Sequence, residues 1–326
     1  MSDDLKVQPG EQITLESVGS LPKSAHVFDE DAILAIRAAM ASRRPLLIRG
    51  EPGTGKTQLA HAAAEKMGRL FIPKTVDAQT EARDLLWSFD AIERLAEAQV
   101  LGAAGAKVDE IRKELARKNF VVPGPLWWAF DWKEASDVSR GCEVPPPPHD
   151  DWKQDDGCVV LIDEIDKADA SVPNGLLEAL GSGSFDAPGY RVEQKSKSKL
   201  LTIVTTNEER ALPDAFLRRC LVLQLRLPTN PDRLKAWLIA RARAHHGDSV
   251  DEEILGLAAD QLIRDRSAVR ERGLSPPGQA EYLDLIRALD DLEKGNPDEQ
   301  KKLLKQIATF ALEKHPRDSR DEDETA

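Results

Sequence analysis

Eight consecutive residues constrain the fold of this chain more than any other feature of its sequence. They are Gly50, Glu51, Pro52, Gly53, Thr54, Gly55, Lys56 and Thr57, and they fill every position of the pattern G-x-x-x-x-G-K-[ST]. An apolar run at 45–48 comes directly before them, and a helix-like stretch at 58–66 follows. This order of strand, glycine-rich turn and helix predicts the phosphate-binding loop, or P-loop, of an α/β fold.

The predicted P-loop suits a nucleoside triphosphate. Its glycines let the backbone fold tightly enough for successive N–H groups to point at anionic oxygens, and the following helix adds the positive end of its dipole. In this arrangement Lys56 reaches the β- and γ-phosphates, and the Thr57 hydroxyl holds Mg²⁺. A glycine-rich turn without a ligand is the alternative, and the flanking strand and helix disfavour it. No base-recognition motif separates ATP from GTP.

Composition narrows the class of protein further. The 326 residues are 41% hydrophobic and 31% charged, which predicts a large globular domain plus a smaller one. No run approaches the roughly 18 apolar residues of a membrane helix, and no secretory signal is visible, so we expect a cytoplasmic protein with no membrane partner. The net charge of −12 opposes a broad nucleic-acid interface, because such interfaces need clustered Lys and Arg. Three separated cysteines predict neither a disulfide framework nor a zinc site.

Apolar patterning divides the chain into an α/β part and a helical part. Strand-like runs alternate with helical stretches, which is typical of a parallel sheet with helices on both faces. These runs lie at 45–48, 70–72, 158–162, 200–205 and 221–225. After residue 228 apolar residues recur only at helical spacing. We therefore predict a flexible segment 1–25, an α/β nucleotide-binding domain 26–228, a helical lid domain 229–316 and a disordered acidic tail 317–326.

Polar side chains follow two of the predicted strands. Asp163 and Glu164 come directly after a buried run, and carboxyl ends of parallel strands gather ligands. We interpret them as a Walker B pair, with Asp163 holding Mg²⁺ through water and Glu164 polarising the attacking water. Asn207 follows the next strand, where its amide suits the γ-phosphate and that water. Taken alone, each of these residues is also common in an ordinary turn.

Two arginines, Arg218 and Arg219, end a short predicted helix just before the last strand. Their charges either complement the helix dipole or provide an arginine finger that reaches the γ-phosphate bound by the next subunit. Arg219 is our candidate for the finger because it lies last in the helix.

Aromatic residues and prolines crowd the segment 120–152. Four of the six tryptophans lie there, and residues 145–148 are all proline. The cluster is either a partner-binding patch or the packing of a short helix onto the sheet beside a stiff proline loop. We favour the packing hypothesis, in which Leu126, Trp127 and Phe130 contact the sheet.

The order of P-loop, acidic pair, asparagine, arginine and helical lid resembles the AAA+ ATPases over about residues 26–315, and most of all the MoxR group. The similar motifs are those at 50–57, 123–126, 163–168, 176–180 and 212–215. The resemblance implies a three-layer P-loop fold with a small helical lid, and a homo-oligomeric ring, usually a hexamer, with ATP sites between subunits. It also implies a remodelling or chaperone-like role, often with a partner that bears a von Willebrand factor A domain.

The chain departs from that group in three places. Asp166-Lys167 stands where the group usually has Asn-Arg, a change that we expect to matter little for hydrolysis. Residues 131–156 form an insert ahead of the third strand, which suits a particular partner. Pro277 occupies the position of the lid arginine called sensor 2. Arg270 or Arg272 is the candidate substitute. The arginine-rich segment otherwise predicts a solvated helix end, formed by Arg264, Arg266, Arg270 and Arg272.

Two classes of function fit these patterns. The first is an ATP-hydrolysing ring that remodels or activates a protein partner, and the intact Lys56, Glu164 and Asn207 favour it. The second is a nucleotide-gated interaction scaffold with little turnover, and the absence of the sensor 2 arginine is compatible with it. A nucleic-acid-associated AAA+ motor is a third hypothesis, which the acidic composition disfavours.

Overall fold

The computed structural model describes residues 5–139, 144–145, 147–195, 199–274 and 276–312. The predicted acidic tail and the middle of the predicted insert, residues 140–143, lie outside these ranges. The chain divides into two compact units. The sheet unit consists of Met1–Pro9, Phe28–Arg49 and Leu59–Gln224, and the lid unit consists of Gly10–Val27, Gly50–Gln58 and Leu225–Ala326. The P-loop therefore groups with the lid unit.

The described residues form short strands and mostly short helices. The strands are β1 (Gln12–Leu15), β2 (Ser24–Val27), β3 (Leu46–Arg49), β4 (Leu70–Thr75), β5 (Trp87–Phe89), β6 (Val121–Pro123), β7 (Cys158–Asp163), β8 (Ser184–Ala187), β9 (Tyr190–Glu193), β10 (Leu200–Thr206) and β11 (Leu221–Gln224). The α-helices are α1 (Glu30–Ser42), α2 (Lys56–Met67), α3 (Ala91–Ala103), α4 (Val108–Glu114), α5 (Pro125–Phe130), α6 (Trp132–Val138), α7 (Ser171–Ser182), α8 (Asp214–Leu217), α9 (Pro231–His246), α10 (Glu252–Glu271), α11 (Gln279–Leu292) and α12 (Pro297–Ala311). Single 3₁₀ turns cover Ala82–Leu85, Arg117–Phe120, Gln154–Asp156 and Ile165–Lys167.

A five-stranded parallel sheet, in the order β11-β3-β10-β7-β4, forms the centre of the sheet unit. Its central strands β7 and β10 are apolar runs buried on both faces, as expected where helices cover a parallel sheet. In the register, Thr206 of β10 pairs with Arg49 of β3, and Thr75 of β4 pairs with Asp163 of β7. The ends of these strands therefore meet at one edge. This sheet, with its flanking and C-terminal helices, confirms the predicted α/β fold with a helical lid.

The aromatic cluster packs inside the sheet unit. Helix α5 is wholly buried, and the indole ring of Trp127 contacts the ring of Tyr190 edge-on, at 5.3 Å between centroids. The chain approaches this helix through Gly124, where a Cβ atom would lie 2.6 Å from the carbonyl oxygen of Asp84. Leu126, Trp127 and Phe130 are fully buried, which confirms the packing hypothesis.

Both ends of the predicted insert are attached to this core. The Gln154 amide nitrogen donates to the carbonyl oxygens of Ala129 and Phe130, both at 3.2 Å, and its amide oxygen accepts from the Trp132 backbone N–H at 2.6 Å. The Trp152 indole N–H donates to the carbonyl oxygen of Gly157 at 3.2 Å. The two ends of 131–156 thus belong to the packed structure of the sheet unit.

The lid unit is built from α9 to α12 around its own apolar core, which includes the fully buried side chains of Leu238 and Tyr282. Strands β1 and β2 form an antiparallel pair that packs on α9. Strand β1 and the first half of β2 lie within the segment 1–25 that we expect to be flexible. No helix in the described ranges is both long enough and apolar enough to cross a bilayer.

Candidate active site

The P-loop is a tight turn closed by its own lysine. The Lys56 Nζ atom, on a residue only 7% exposed, donates to the carbonyl oxygens of Gly50 at 2.8 Å and Glu51 at 3.0 Å. The Thr54 hydroxyl donates to the same Glu51 oxygen at 2.9 Å. At Gly53 the φ angle is +70°, and a Cβ atom would lie 2.6 Å from the Cβ of Ala280, so only glycine fits. Lys56 is thus held over the loop, where phosphate oxygens would compete for its ammonium group.

Helix α2 begins at Lys56, so the first backbone N–H groups of the helix lack intrahelical acceptors and favour an anion. Thr57 offers a hydroxyl oxygen and Asp163 a carboxylate, which are the hard oxygen ligands that Mg²⁺ prefers. Within the described residues no group of three or more His, Cys, Asp or Glu side chains forms a metal cage. Each of these oxygen donors is of the kind that fits a Mg²⁺ ion, which proteins usually hold with one or two side chains together with substrate phosphates.

The Glu51 side chain is held by two arginines of α10. Its Oε2 atom accepts from Arg266, and its Oε1 atom accepts from Arg270 Nη2 at 3.0 Å. Burial raises the pKa of Glu51, but the hydrogen bonds and charges of the two arginines outweigh it and leave that pKa below its usual value. The Arg266 side chain is 4% exposed, and its Nη1 donates to the carbonyl oxygen of Pro277 at 2.6 Å. The prediction of a solvated helix end is therefore wrong for Arg266.

In the sheet unit, the predicted Walker B carboxylates stand at the end of β7. Asp163 accepts a short hydrogen bond from the hydroxyl of Thr205 in β10, and that hydroxyl accepts from the Glu164 backbone N–H at 3.0 Å. Glu164 adopts φ 61° and ψ 44°, a left-handed conformation that costs a residue other than glycine about 1–3 kcal/mol. Such strain is common at active sites. Here the left-handed residue comes directly after the last residue of β7 and ends the extended backbone of the strand.

The two carboxylate oxygens of Glu164 have different partners. Oε1 accepts from the Asn207 side-chain amide at 3.3 Å, so the structure brings these two predicted site residues together. Oε2 accepts from Lys167 Nζ at 2.7 Å. The hydrogen bond to Glu164 raises the pKa of Lys167 above its usual value. Lys167 belongs to the Asp166-Lys167 pair that we expect to matter little for hydrolysis, and the structure places it on one face of a turn with Glu164, three residues earlier.

Asp166 shapes the loop that presents Asn207, a role that the sequence analysis did not predict. It is 3% exposed, and its carboxylate accepts from the backbone N–H groups of Asn207 at 3.4 Å and Glu209 at 2.9 Å. Between them Glu208 has φ +62° and pairs with Arg49 at 3.5 Å. Arg49 ends β3, and the chain enters the P-loop at the next residue. The signal in the sequence is a second aspartate three residues after Asp163.

Arg218 and Arg219 follow α8 and are both exposed. Across the described part of the chain, neither guanidinium forms a hydrogen bond or an ion pair. Their backbone is held by Arg44, a residue that sequence reasoning also missed. Arg44 Nε donates to the Arg219 carbonyl oxygen at 3.0 Å, and its Nη2 donates to the carbonyl oxygens of Arg218 and Cys220. The carbonyls are thus fixed while the two side chains project outward.

Comparison with known protein families identifies the family of this chain. A family model described as an AAA domain of the dynein-related subfamily matches residues 45–220, more than half of the chain. Among solved structures, a candidate ATPase from Cytophaga hutchinsonii is 15% identical, with 90% of this chain and 84% of that chain covered and a TM-score of 0.37. A RuvB mutant from Thermotoga maritima is 16% identical, with 86% and 75% covered and a TM-score of 0.40. The curated proteins contain no match.

Proposed function

Because the chain belongs to the AAA domain family, dynein-related subfamily, we propose that it hydrolyses ATP and uses the cycle to remodel or activate a protein partner. Members of this family are generally P-loop ATPases, and the predicted resemblance to AAA+ ATPases is confirmed by the match. The observation that carries the proposal is the contact between Glu164 and Asn207 at the ends of two buried strands, in a chain with a complete P-loop.

The P-loop residues bind the triphosphate in this proposal. Phosphate oxygens replace the carbonyl oxygens of Gly50 and Glu51 as acceptors for Lys56, and the N–H groups at the start of α2 donate to the same anion. Thr57 and, through water, Asp163 would hold Mg²⁺, which when bound neutralises part of the phosphate charge.

Glu164 is the proposed general base. It accepts a proton from the attacking water as the water oxygen bonds to the γ-phosphorus, and the bond from that phosphorus to the β–γ bridging oxygen breaks to release ADP. Asn207 orients the water, because its amide lies 3.3 Å from the Glu164 carboxylate. Lys167 holds the other carboxylate oxygen at 2.7 Å and keeps the side chain in one rotamer.

Arg219 is the proposed arginine finger, with Arg218 as the neighbouring candidate. Both side chains are exposed, and Arg44 fixes their backbone, which suits a group that acts on a nucleotide bound by another subunit. Rings are typical of the family, and we propose a hexamer whose client or partner bears a von Willebrand factor A domain.

The rate of phosphate release distinguishes the proposed ATPase from a scaffold that binds ATP with little turnover. Glu164→Gln should bind ATP with Mg²⁺ like the parent but release phosphate at least about a hundredfold more slowly, because an amide cannot take the proton. Lys56→Ala should lose tight ATP binding, and Asp163→Asn should raise the Mg²⁺ concentration needed. Glu209→Gln, a change of an exposed carboxylate on the neighbouring loop, is the matched control and should behave like the parent. Parent-like turnover by Glu164→Gln contradicts the assignment.

The nucleotide-gated scaffold remains the second candidate, because Pro277 stands at the lid-arginine position and Lys167 occupies one oxygen of Glu164. A scaffold would bind ATP but release phosphate at the rate of Glu164→Gln, with or without a partner. The proposed ATPase should exceed that variant at least about tenfold in the same steady-state assay.

A further inference from the structure

Two arginines of one lid helix converge on a single carboxylate of the P-loop. Arg266 and Arg270, one helical turn apart on α10, each bind one oxygen of Glu51. Arg266 is 4% exposed, whereas Arg270 is half-exposed. Arg266 also donates to the Pro277 carbonyl oxygen at 2.6 Å. The buried guanidinium therefore joins the P-loop, α10 and the segment that leads into α11.

Glu51 connects these arginines to the lysine that receives phosphate. Its carboxylate binds the arginines, while its carbonyl oxygen accepts from Lys56 Nζ at 3.0 Å. If phosphate draws the Lys56 ammonium away, that carbonyl loses its charged donor and keeps only the Thr54 hydroxyl, at 2.9 Å, so the peptide is held less firmly. The same residue then carries the change to α10 through its side chain.

The loop also rests closely on the start of α11. Gly53 approaches Ala280 so closely that a Cβ atom at residue 53 would lie 2.6 Å from the Cβ of Ala280. A Cβ atom at Gly278 would lie 3.4 Å from the carbonyl oxygen of Pro52. The Glu281 carboxylate accepts from the Gly278 backbone N–H at 2.8 Å and fixes this end of the helix. Because the P-loop and the start of α11 are in close contact, a movement of the P-loop must displace α11.

We propose that Arg266 and Arg270 are positioning residues that couple the lid helices to bound nucleotide through Glu51, in place of a lid arginine that touches phosphate. Pro277, at the position of such an arginine, supplies only a carbonyl acceptor to Arg266. The lid thus responds to the shape of the loop. Arg266 cannot leave Glu51 without stranding a buried charge, whereas the half-exposed Arg270 can. This inference deepens the proposed function and rests on it.

A double-mutant cycle between Glu51 and Arg270 tests the coupling. The affinities of the full chain for ATP and ADP are measured by calorimetry in Glu51→Gln, Arg270→Ala and the double variant. Each single change should alter the ratio of ATP to ADP affinity by about threefold to tenfold, and the double change should do no more than either single change, because both break one link. Arg270→Lys should restore part of the ratio. Arg264→Ala, an exposed change on the same helix, is the control and should match the parent.

Other outcomes overturn the inference. If Arg270→Ala shifts the ratio as much in the Glu51→Gln background as in the parent, its guanidinium acts on the nucleotide directly. If no single variant shifts the ratio while Lys56→Ala abolishes ATP binding, the coupling is absent although the site is correct. If Lys56→Ala binds ATP like the parent, the proposed function itself fails. Arg266→Lys, with its melting temperature as a check on folding, should shift the ratio in the same direction as Arg270→Ala.

Discussion

The sheet unit and the lid unit hold their functional carboxylates in different ways. Glu164, in the sheet unit, stands on a strand end and accepts from one ammonium and one neutral amide, both on partly exposed side chains. Glu51, in the lid unit, accepts from two guanidinium groups, one of them buried. The carboxylate that we propose as the proton acceptor thus has partly exposed partners, whereas the carboxylate that joins the P-loop to α10 has a buried one.

The comparison predicts different phenotypes for the two units. Changes at the exposed polar groups of the sheet unit should slow chemistry and leave nucleotide affinity and stability nearly intact. Changes in the lid unit should alter the preference among nucleotides or the response to pH. The following predictions test this division.

The largest effect is expected at the proposed finger. Arg219→Ala should bind ATP like the parent but hydrolyse it about 10³- to 10⁵-fold more slowly, because a finger neutralises charge that develops on the transferred phosphoryl group. Mixing Arg219→Ala subunits with Lys56→Ala subunits should restore part of the activity, since some interfaces then pair an intact P-loop with an intact finger.

Arg218→Ala is the matched control for the finger and should lose far less activity. Full activity of Arg219→Ala, or no recovery on mixing under conditions that exchange subunits, contradicts action between subunits. An inactive Arg218→Ala beside an active Arg219→Ala would move the finger to the neighbouring residue.

Removal of the Arg44 side chain should also reduce turnover, but less than removal of the proposed finger. Arg44→Ala removes the donor that fixes the carbonyls of residues 218–220, so the finger loses its position and turnover should fall about ten- to a hundredfold with ATP affinity unchanged. The test compares kcat with ATP affinity in Arg44→Ala and in Arg43→Asn, a neighbouring change at a left-handed residue that asparagine tolerates. A weaker ATP affinity in Arg44→Ala, with unchanged kcat, would show that Arg44 acts on the P-loop instead.

The sequence predicted the sheet unit well because its signals are local. Buried runs such as 158–162 identify central strands, and the residues that follow them, Asp163 and Glu164, fall at the sheet edge by geometry alone. The Glu51 and Arg266 pair spans 215 positions, and the Arg44 contacts span 174 to 176, so no local pattern marks them. The short strand pairs β5-β6 and β8-β9 were also missed, because three or four residues give too little alternation to detect.

The lid unit should lose stability on mild acidification. Burial, with the charge of Arg241 and the neighbouring His245, lowers the pKa of His26 to about 3; burial, with His246 and Arg287 nearby, lowers the pKa of His245 to about 4. Unfolded histidines titrate near pH 6.5, so the unfolded chain binds more protons below that pH. The stability is complete above pH 6.5 and falls as the pH drops toward 4.

We expect the midpoint of thermal unfolding to fall by several degrees between pH 7 and pH 5, since each buried histidine contributes up to about 1.4 kcal/mol per pH unit. His26→Phe should have a smaller drop than the parent, whatever its midpoint at pH 7. His149→Gln, at an exposed position of the sheet unit, is the control and should keep the parent slope. Equal slopes in all three proteins would remove His26 from this explanation.

The smallest effect on ATP turnover is expected for changes in the insert of the sheet unit. Replacing residues 140–148 with a short Gly-Ser linker should change basal ATP turnover less than about twofold, because the change spares the packed ends of the insert. Gln154→Ala is the informative contrast: it takes the Gln154 acceptor from the Trp132 backbone N–H and one donor from each of the carbonyl oxygens of Ala129 and Phe130. It should lower the free energy of unfolding by about 1–3 kcal/mol. Denaturant unfolding and phosphate release are measured on both. A linker variant that unfolds, beside a Gln154→Ala variant as stable as the parent, would place the structural role in the middle of the insert and not at its ends.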